Sequence, residues 1–312
     1  MRALPIPFLL VCSLFAAPSS AAVPRPSPQA EKTPVYDEKA DAKTDVAAAL
    51  ARARRENRRV LIQWGANWCG WCKKLHALFG ENADVGKELL YEYDVVRVDV
   101  GQFDKNMDLA ASYGAELKAS GIPYLTVLAA DGKVLANQET GSLEAGGAHD
   151  PAKVLAFLGK NEAPHLAAAD LYASALATAA KEGKHVFLTF GAPWCGWCHR
   201  LEDWMVRPEI AALLARDFVV LKVDIERTTG GAEMFDKLRQ KRGDGIPWFA
   251  FLDAQGKELA CSFGPKGNTG YPSSDEEIAW FLKMLEAGAP KLTAEERATI
   301  RSSLVANRPK EQ

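Results

Sequence analysis

The apolar positions of this chain fall into two blocks that predict the same order of helices and strands. In each block, apolar residues at helical spacing come first, and short apolar runs then alternate with further helical segments. This alternation predicts an α/β fold with helices on both sides of a sheet. In the first block we predict helices at 45–55, after Cys69, at 107–113 and at 150–158, and strands at 60–65, 95–100, 124–128 and 134–135.

The second block repeats this order about one small domain later. Lys184-His185-Val186 corresponds to Arg58-Arg59-Val60, at an offset of 186 − 60 = 126 residues. A last helix at 293–305 has no counterpart in the first block, and we expect it to pack on the second domain or to offer a partner surface. In the second block we predict helices at 173–181, after Cys195 and at 275–285, and strands at 186–188, 218–225 and 248–252.

Side chains suited to helix capping stand where three of these helices begin. Asp150 comes before Pro151, which predicts an N-cap followed by proline at the first helical position. Ser274 with Glu277, and Thr293 with Glu296, have the spacing of a capping box. We therefore expect helices to begin directly after Asp150, Ser274 and Thr293.

The first 22 residues predict a cleavable signal peptide. Arg2 is followed by an apolar stretch to Ala17, and Ser20-Ala21-Ala22 supplies small residues for cleavage. An uncleaved anchor is the alternative, but Pro5 and Pro7 interrupt a stretch shorter than the ~20 residues that a membrane span requires. The sequence therefore predicts export, with a periplasmic or secreted location.

The remaining residues predict a linker, two domains and a tail. Residues 23–35 are rich in proline and lack a periodic apolar pattern, so we interpret them as a flexible linker. The two blocks give domains at 36–160 and 165–288, followed by a helical tail at 290–312. No apolar stretch after the signal peptide is long enough to span a membrane, so the mature chain is expected not to be membrane-spanning.

Composition narrows the possible partners. The 312 residues are 48% hydrophobic and 25% charged, which is ordinary for globular domains. A formal net charge of −2 gives no reason to expect nucleic acid as a partner. Composition does not indicate which reaction the protein catalyses, so the reaction must be inferred from particular side chains.

The candidate chemistry lies in two copies of Trp-Cys-Gly-Trp-Cys. The copies span residues 68–72 and 194–198, again offset by 195 − 69 = 126 residues, and each follows an apolar run. A helix that begins at the first cysteine would lower the pKa of that thiol, since unpaired N–H groups and the positive end of the helix dipole face it. We predict Cys69 and Cys195 as nucleophiles, and Cys72 and Cys198 as the resolving thiols that release a mixed disulfide.

Two other uses of these cysteines stay open. Each pair could be a static disulfide in its domain. Both pairs together could hold one zinc ion, if the two domains brought their cysteines together. We predict neither a metal nor a cofactor. Cys261 lies in a predicted strand with Leu259 and Phe263, and we interpret it as a buried, inert thiol.

Together with a downstream Gly-Ile-Pro in each block, the Trp-Cys-x-x-Cys motifs resemble the thioredoxin superfamily over residues 36–160 and 165–288. The resemblance implies two tandem thioredoxin-like domains, each a central mixed β-sheet flanked by helices. It also implies that Pro123 and Pro247 follow cis peptide bonds and face the cysteines. The backbone at Ile122 and Ile246 would then pair with an extended substrate.

This chain departs from thioredoxin itself at several positions. Gly70-Trp71 and Gly196-Trp197 stand between the cysteines, where thioredoxin has Gly-Pro. Gln63 and Thr189 stand where thioredoxin has a buried aspartate that assists proton transfer, so proton removal must use water or another group. Arg97 and Lys222 occupy roughly the position of a strand lysine in the family. They either provide a positive field at the cysteines or are solvated charges at the strand end. These features, with the sequence after each cysteine pair, are similar to secreted bacterial thiol:disulfide interchange proteins.

Tryptophans cluster at both motifs. We interpret Trp64 as a core residue, and we predict that Trp71 and Trp197 are exposed, where a flat ring can hold an apolar peptide. The predicted substrate-binding residues are Trp68, Trp71, Ile122, Pro123, Trp194, Trp197, Ile246 and Pro247.

These observations predict an exported thiol:disulfide oxidoreductase, acting as a reductase or isomerase. Its partners would be disulfide-containing protein substrates and a membrane or soluble electron donor. An oxidase is the alternative within the same class, because small differences in potential decide the direction. A chaperone-like module with inert disulfides is the alternative from another class.

Overall fold

The computed structural model describes residues 34–243 and 245–309. The predicted signal peptide and nearly all of the predicted linker lie outside the described residues. Both predicted domains belong to one compact unit that begins at Val35. No helix among the described residues is both long enough and apolar enough to cross a membrane.

The first domain has the predicted order of elements, with three additions. They are α1 (Ala42–Glu56), β1 (Arg59–Gly65), α2 (Gly70–Glu81), α3 (Ala83–Glu92), β2 (Tyr93–Asp99), α4 (Met107–Ser112), α5 (Leu117–Ser120), β3 (Tyr124–Leu128), β4 (Val134–Glu139), β5 (Glu144–Ala145), β6 (Ala148–His149) and α6 (Pro151–Asn161). The additions are the separate helix α3, the four-residue helix α5 and the short hairpin β5–β6. Asn82 explains the separate helix, because it ends α2 and its side chain accepts a hydrogen bond from Val85 N–H at the start of α3.

A four-stranded mixed sheet in the order β2-β1-β3-β4 forms the centre of this domain. Strand β1 pairs in parallel with β2 and antiparallel with β3. Successive side chains of β1 enter different apolar clusters, one with Ile62 and α1, the other with Leu61 and α2. Since strand side chains alternate between faces, β1 is buried on both sides. The buried strand β1 therefore holds the turn at which α2 begins in a fixed position.

The second domain repeats the arrangement. Its elements are α7 (Ala168–Glu182), β7 (His185–Gly191), α8 (Gly196–Met205), α9 (Pro208–Asp217), β8 (Phe218–Asp224), α10 (Gly231–Arg239), β9 (Trp248–Leu252), β10 (Glu258–Cys261), β11 (Phe263–Gly264), β12 (Gly267–Asn268), α11 (Asp275–Gly288) and α12 (Ala294–Ala306). The sheet order β10-β9-β7-β8 matches that of the first domain strand for strand. The predicted α/β class with two mixed sheets is confirmed.

The last helix packs on the second domain. Ile300 and Leu304 of α12 are fully buried in the same apolar cluster as α11. The indole of Trp204 donates to the Ser303 hydroxyl at 3.1 Å. Of the two expectations for this helix, packing is confirmed. The capping boxes predicted at Ser274 and Thr293 are present, as is the Asp150 cap with its proline.

Charged groups join the two domains. Arg227, in the loop after β8, donates to the carboxylate of Glu92 in the first domain at 2.8 Å, and both side chains are about 5% exposed. The same guanidinium donates to the carbonyl oxygens of Glu56 and Asn57 at 3.0 and 2.6 Å. His165 also contacts Glu92, at 3.0 Å. A buried charge that loses its partner lowers the stability of the fold, so this ion pair favours one relative orientation of the two domains.

Candidate redox sites

Each Cys-Gly-Trp-Cys segment lies at a strand-to-helix turn, with its first cysteine as the N-cap of the following helix. Cys69 caps α2 and Cys195 caps α8. In both sites the backbone N–H of the second cysteine points at the first sulfur, at 3.0 Å for Cys72 and 3.1 Å for Cys198. Free N–H groups at a helix start stabilise a negative sulfur, so the geometry favours a thiolate at the predicted nucleophile once a pair is reduced.

Both pairs are disulfide-bonded within their own domains. The four cysteines are at most 5% exposed, and the second of each pair is the more buried. Each pair closes on itself, and among the described residues neither group compact enough for a metal ion contains a cysteine. The burial order agrees with the predicted roles, because an incoming substrate reaches the first sulfur more readily.

The Gly-Ile-Pro segments face the disulfides. The Ile122–Pro123 and Ile246–Pro247 peptide bonds are both cis, as the resemblance implies. The carbonyl oxygen of Ile122 lies 3.6 Å from Cys69 Sγ, and that of Ile246 lies 3.6 Å from Cys195 Sγ. The structure thus brings together the predicted nucleophiles and the predicted substrate-pairing backbone, which are 53 and 51 residues apart in sequence.

The expectation that both inner tryptophans are exposed is wrong for Trp71. Its ring is half-buried, with its edge against His149 at 5.4 Å and Lys74 Nζ at 4.1 Å from the ring centre. The reason is the hairpin β5–β6, which packs against α2. Trp197 is 50% exposed although it stacks on Tyr271.

The outer tryptophans are exposed in both sites, but their indoles bond differently. Trp68 donates to the carbonyl of Gly101 at 2.7 Å, within its own domain. Trp194 donates to Glu226 at 2.6 Å, and Glu226 also accepts from the hydroxyl of Tyr91 in the first domain. Hydrogen bonds from Tyr91 and Trp194 lower the pKa of Glu226. The first domain therefore reaches the rim of the second site.

A tyrosine closes the first site behind its disulfide. A Cβ placed on Gly65, at the end of β1, would lie 2.1 Å from the Tyr36 hydroxyl oxygen and 3.0 Å from Cys72 Sγ. Two hydrogen bonds with Asn67 hold the Tyr36 backbone in place. Tyr36 is fully buried, and burial raises its pKa, so the hydroxyl stays neutral. Tyr36 stands at the first position of the predicted domain, and nothing in the sequence indicated this contact.

In the second site a glutamate lies near the corresponding space, but farther from the glycine than Tyr36 does. A Cβ on Gly191 would lie 3.1 Å from Cys198 Sγ and 4.0 Å from Glu202 Oε1. Glu202 forms an ion pair with Lys222 at 2.8 Å. Burial raises the pKa of Glu202 although Lys222 acts in the opposite direction. Lys222 thus supplies a partly buried positive charge, whereas Arg97 on β2 is exposed.

Comparison with known proteins decides the family. A profile described as thioredoxin-like matches residues 41–130 and 167–254, more than half of the chain. The chain belongs to the thioredoxin-like family. The two matches cover the two cysteine motifs but stop before α6 and α11.

Several proteins similar to this thioredoxin-like chain are named as thiol:disulfide enzymes. It is 26% identical to protein disulfide-isomerase 1 of Dictyostelium discoideum, over 65% of this chain and 53% of that protein. It is 31% identical to the disulfide bond reductase DsbH of Chlamydia pneumoniae, over 35% of this chain and 72% of that protein. A disulphide isomerase from Xylella fastidiosa Temecula1 is similar at 35% identity, over 40% of this chain and 95% of that structure, with a TM-score of 0.37. The chain thus spans about half the length of the Dictyostelium relative.

Among the residues that the structure describes, two groups of side chains are compact enough to be considered for a metal ion: Glu56, His199 and Glu202, and Glu92, Glu162 and His165. Lys222 pairs with Glu202 in the first group, and Arg227 pairs with Glu92 in the second. Because a cation already neutralises a carboxylate in each, we interpret both as ion-pair clusters.

Cys261 lies apart from both disulfides. It is buried, and the Arg242 guanidinium lies 3.1 Å from its sulfur. Burial raises the pKa of this thiol, which disfavours the reactive thiolate. The predicted burial is confirmed, and the predicted inertness fits this environment.

Proposed function

We propose that the protein is an exported thiol:disulfide oxidoreductase that exchanges two Cys-Gly-Trp-Cys pairs with disulfides of other proteins. One observation carries the proposal. In both domains a cysteine pair caps a helix and lies 3.6 Å from the carbonyl that precedes a cis proline. This arrangement supports the proposal, because a helix start stabilises a thiolate and the neighbouring carbonyl can accept a hydrogen bond from an extended chain.

The exchange has two steps at each site. The thiolate of Cys69 or Cys195 attacks a substrate disulfide, forming a mixed disulfide and releasing one substrate thiolate, which takes a proton from water. Cys72 or Cys198 then loses its proton and attacks the mixed disulfide. The enzyme disulfide forms, the second substrate thiol leaves, and two electrons have passed to the substrate. A thiol electron donor, membrane-bound or soluble, must restore the dithiol.

Substrate contact fits an extended, partly apolar chain. The carbonyl oxygens of Ile122 and Ile246 can accept hydrogen bonds from a strand laid across the disulfide. The exposed rings of Trp68, Trp194 and Trp197 offer apolar surface around it. Trp71 is the weaker candidate, because the hairpin β5–β6 covers part of its ring.

Within this class of enzyme, we favour reduction or isomerisation of substrate disulfides over their oxidation. The similar proteins include a disulfide bond reductase and a protein disulfide-isomerase. The residues 1–22, with their signal-peptide pattern, support action outside the cytoplasm, where substrates with disulfides are common. The potential decides the matter: near −270 mV for a thioredoxin-type reductase, and about −120 to −180 mV for an oxidase or isomerase.

A reduction assay with cysteine variants tests the proposal. We expect the full chain to catalyse the reduction of insulin by dithiothreitol, and Cys69→Ser or Cys195→Ser to remove the contribution of one site each. The double variant should fall to the uncatalysed rate. Cys261→Ala is the matched control, because it removes a buried thiol outside both sites.

The alternative is a chaperone-like module that binds unfolded chains through its exposed tryptophans. That function keeps its disulfides inert, so the double variant would suppress aggregation of an unfolded client as well as the unchanged chain. Full insulin reduction by the double variant would contradict the redox proposal outright.

A further inference from the structure

A cavity of about 390 Å³ lies along α8, directly beside the second redox site. Its lining begins at Gly196, the residue after Cys195, and includes Tyr271, on which the exposed ring of Trp197 stacks. Further lining residues are Arg200, Asp203, Arg207 and Asn307. We call this space the α8 pocket.

The α8 pocket carries a net positive charge. Arg200 and Arg207 supply two cations, and Asp203 is the one carboxylate among the described lining residues. In the part of the chain that the structure describes, no carboxylate forms an ion pair with either guanidinium. Burial raises the pKa of Tyr271, and both arginines act in the opposite direction, so both charges reach its hydroxyl.

Arg200 is held in place by neutral groups. Its Nη2 atom donates to the carbonyl oxygen of Asn307 at 2.9 Å, and its guanidinium lies 5.4 Å from the centre of the Tyr271 ring. The Tyr271 hydroxyl donates to the same carbonyl at 3.3 Å. Because neither partner is charged, the positive charge of Arg200 is not neutralised. The planar fork of a guanidinium matches the geometry of a carboxylate, which makes a carboxylate its preferred ligand.

Arg200 lies within reach of a substrate held at Cys195. It comes four residues after Gly196 on α8, which is about 6 Å along the helix axis at ~1.5 Å per residue. Successive residues of an extended chain are about 3.3 Å apart, so the side chain next to a substrate cysteine spans a similar distance. A carboxylate beside that cysteine can therefore meet Arg200 while the substrate sulfur is bonded to Cys195.

We propose that the α8 pocket binds a carboxylate of the substrate, so that the second site prefers disulfides flanked by aspartate or glutamate. This substrate class rests on the proposed exchange activity. Arg200 binds the carboxylate, Arg207 adds attraction at longer range, and Trp197 contacts the neighbouring apolar part of the chain. The preference is local, because a formal net charge of −2 does not attract acidic peptides to the protein as a whole.

The first site lacks this arrangement of cations. The positions 126 residues earlier hold Lys74 (200 − 126 = 74) and Glu81 (207 − 126 = 81). The amino group of Lys74 donates to the carbonyl oxygen of Gly147 at 3.0 Å, in the turn of the hairpin β5–β6. A carboxylate thus replaces one cation, and the hairpin engages the other. We therefore expect no preference for acidic substrates at the first site.

The test uses two peptide disulfides that differ only in charge. Each is a disulfide-linked dimer of one short peptide, with aspartate on both sides of the cysteine in one dimer and asparagine in the other. The full chain with Cys69→Ser and Cys72→Ser isolates the second site and is mixed, in reduced form, with each dimer. Quenched samples resolved by mass give the rate at which Cys195 and Cys198 are oxidised as the dimer is reduced to two thiols. Reaction of each dimer with dithiothreitol corrects for its intrinsic reactivity.

The quantity compared is the corrected ratio of the two rates, aspartate dimer over asparagine dimer. In this parent chain we expect a ratio of roughly ten, the usual effect of one hydrogen bond between charged groups. Arg200→Gln should bring the ratio close to one, and Arg200→Lys, which keeps the charge, should retain part of it. Arg207→Gln, at an exposed position, should lower the ratio by about twofold. Asp203→Asn removes the opposing charge and should raise the ratio.

Lys257→Gln is the matched control. It removes an exposed cation of the second domain in the turn after β9, whereas Ile246, whose carbonyl faces Cys195, comes before the other end of that strand. The ratio should keep the parent's value in this variant. When Cys195 and Cys198 carry the serine replacements instead, the first site should give a ratio near one.

The outcomes separate the pocket from the activity. A parent ratio near one, or an unchanged ratio in both Arg200→Gln and Arg207→Gln, would overturn the inference. So would an equal fall of both rates in Arg200→Gln, because that result reports altered packing and not binding of a carboxylate. Arg207→Gln tests the same point without disturbing the contacts of Asn307 and Tyr271. If neither dimer reacts with the parent, the proposed exchange activity itself has failed.

Discussion

The two redox sites share a backbone but differ in what lies against the resolving cysteine. In both, the central strand ends in a glycine, Gly65 or Gly191, whose missing side chain leaves space beside the buried sulfur. The first site fills that space with the hydroxyl of Tyr36, from the segment before α1. In the second site Glu202, from the same helix as the cysteines, lies at the edge of that space, with its Oε1 atom 4.0 Å from the position of the absent Cβ. One geometry thus provides a neutral phenol in one domain and an ionisable carboxylate in the other.

The sites also differ in what surrounds them. The first site is closed by residues of its own domain, Tyr36 with Asn67 behind the disulfide and Trp68 with Gly101 at the rim. The second site receives Glu56 and Tyr91 from the first domain. Duplication of one fold has therefore produced one self-contained site and one that depends on its neighbour.

The largest effect is expected from breaking the contact that joins the domains. Arg227→Met leaves the Glu92 carboxylate buried without its main cation and removes two hydrogen bonds to the end of α1. Loss of one partner of a buried pair costs about 3–5 kcal/mol. We expect a loss of this size in the free energy of unfolding, measured by chemical denaturation, and altered reactivity at the second site more than at the first.

Two controls frame that measurement. Arg227→Met combined with Glu92→Met removes both charges and should recover part of the loss, because no unpaired buried charge remains. Lys43→Ala, which breaks an exposed pair with Asp108, should leave stability unchanged within error. Equal stability of the Arg227→Met and Lys43→Ala variants would contradict a structural role for the interface pair.

A smaller effect should separate the two glycines. In Gly65→Ala the new methyl group would meet the Tyr36 hydroxyl oxygen at 2.1 Å, so the rigid ring must move. We expect a loss of about 1–3 kcal/mol, as for other overpacked sites. In Gly191→Ala the nearest atoms, on Cys198, lie at 3.1 Å, and a shift of a few tenths of an ångström is enough. Thermal unfolding of both variants should therefore rank Gly191→Ala as the milder, and the reverse order would contradict the account of the first site.

The smallest effect concerns the rim of the second site. The pKa of Glu226 lies below its ordinary value of 4.5, so its bonds to Trp194 and Tyr91 are complete above that pH and weaken as pH falls through the lowered pKa. Tyr91→Phe removes one donor, which should move the transition in tryptophan fluorescence to higher pH. A titration between pH 2 and 6 measures it, and Trp194→Phe should abolish the transition. A transition that persists unchanged in Trp194→Phe would show that another tryptophan reports it.

The fold could be predicted from the sequence because its signals lie in short segments and because each signal occurs in both domains. The spacing of 126 residues aligned both motifs, and the apolar runs that became β1 and β7 are buried along most of their length. Capping residues such as Ser274 fixed where helices begin. The break between α2 and α3 was missed, because Asn82 both ends one helix and starts the next without a proline.

The site was predicted only in part, for a physical reason. Cysteines and prolines are easily recognised in a sequence, because few other residues can replace a reactive thiol or a cis proline. Tyr36, Glu92 and Arg227 look like ordinary residues until the fold brings partners up to 135 residues away beside them. Glu202 could have been found, because its spacing of four from Cys198 places both on one helical face. The hairpin β5–β6 that covers Trp71 could not be predicted, because its strands have two residues each and show no recognisable sequence pattern.

A redox titration tests the central claim most directly, namely that both pairs exchange electrons with thiols. The full chain and its Cys69→Ser and Cys195→Ser variants would be equilibrated in dithiothreitol buffers of graded ratio and followed by tryptophan fluorescence. We predict two reversible two-electron transitions, one of which disappears in each variant, with different potentials for the two sites. If neither pair titrates reversibly, the disulfides are structural and the account is contradicted.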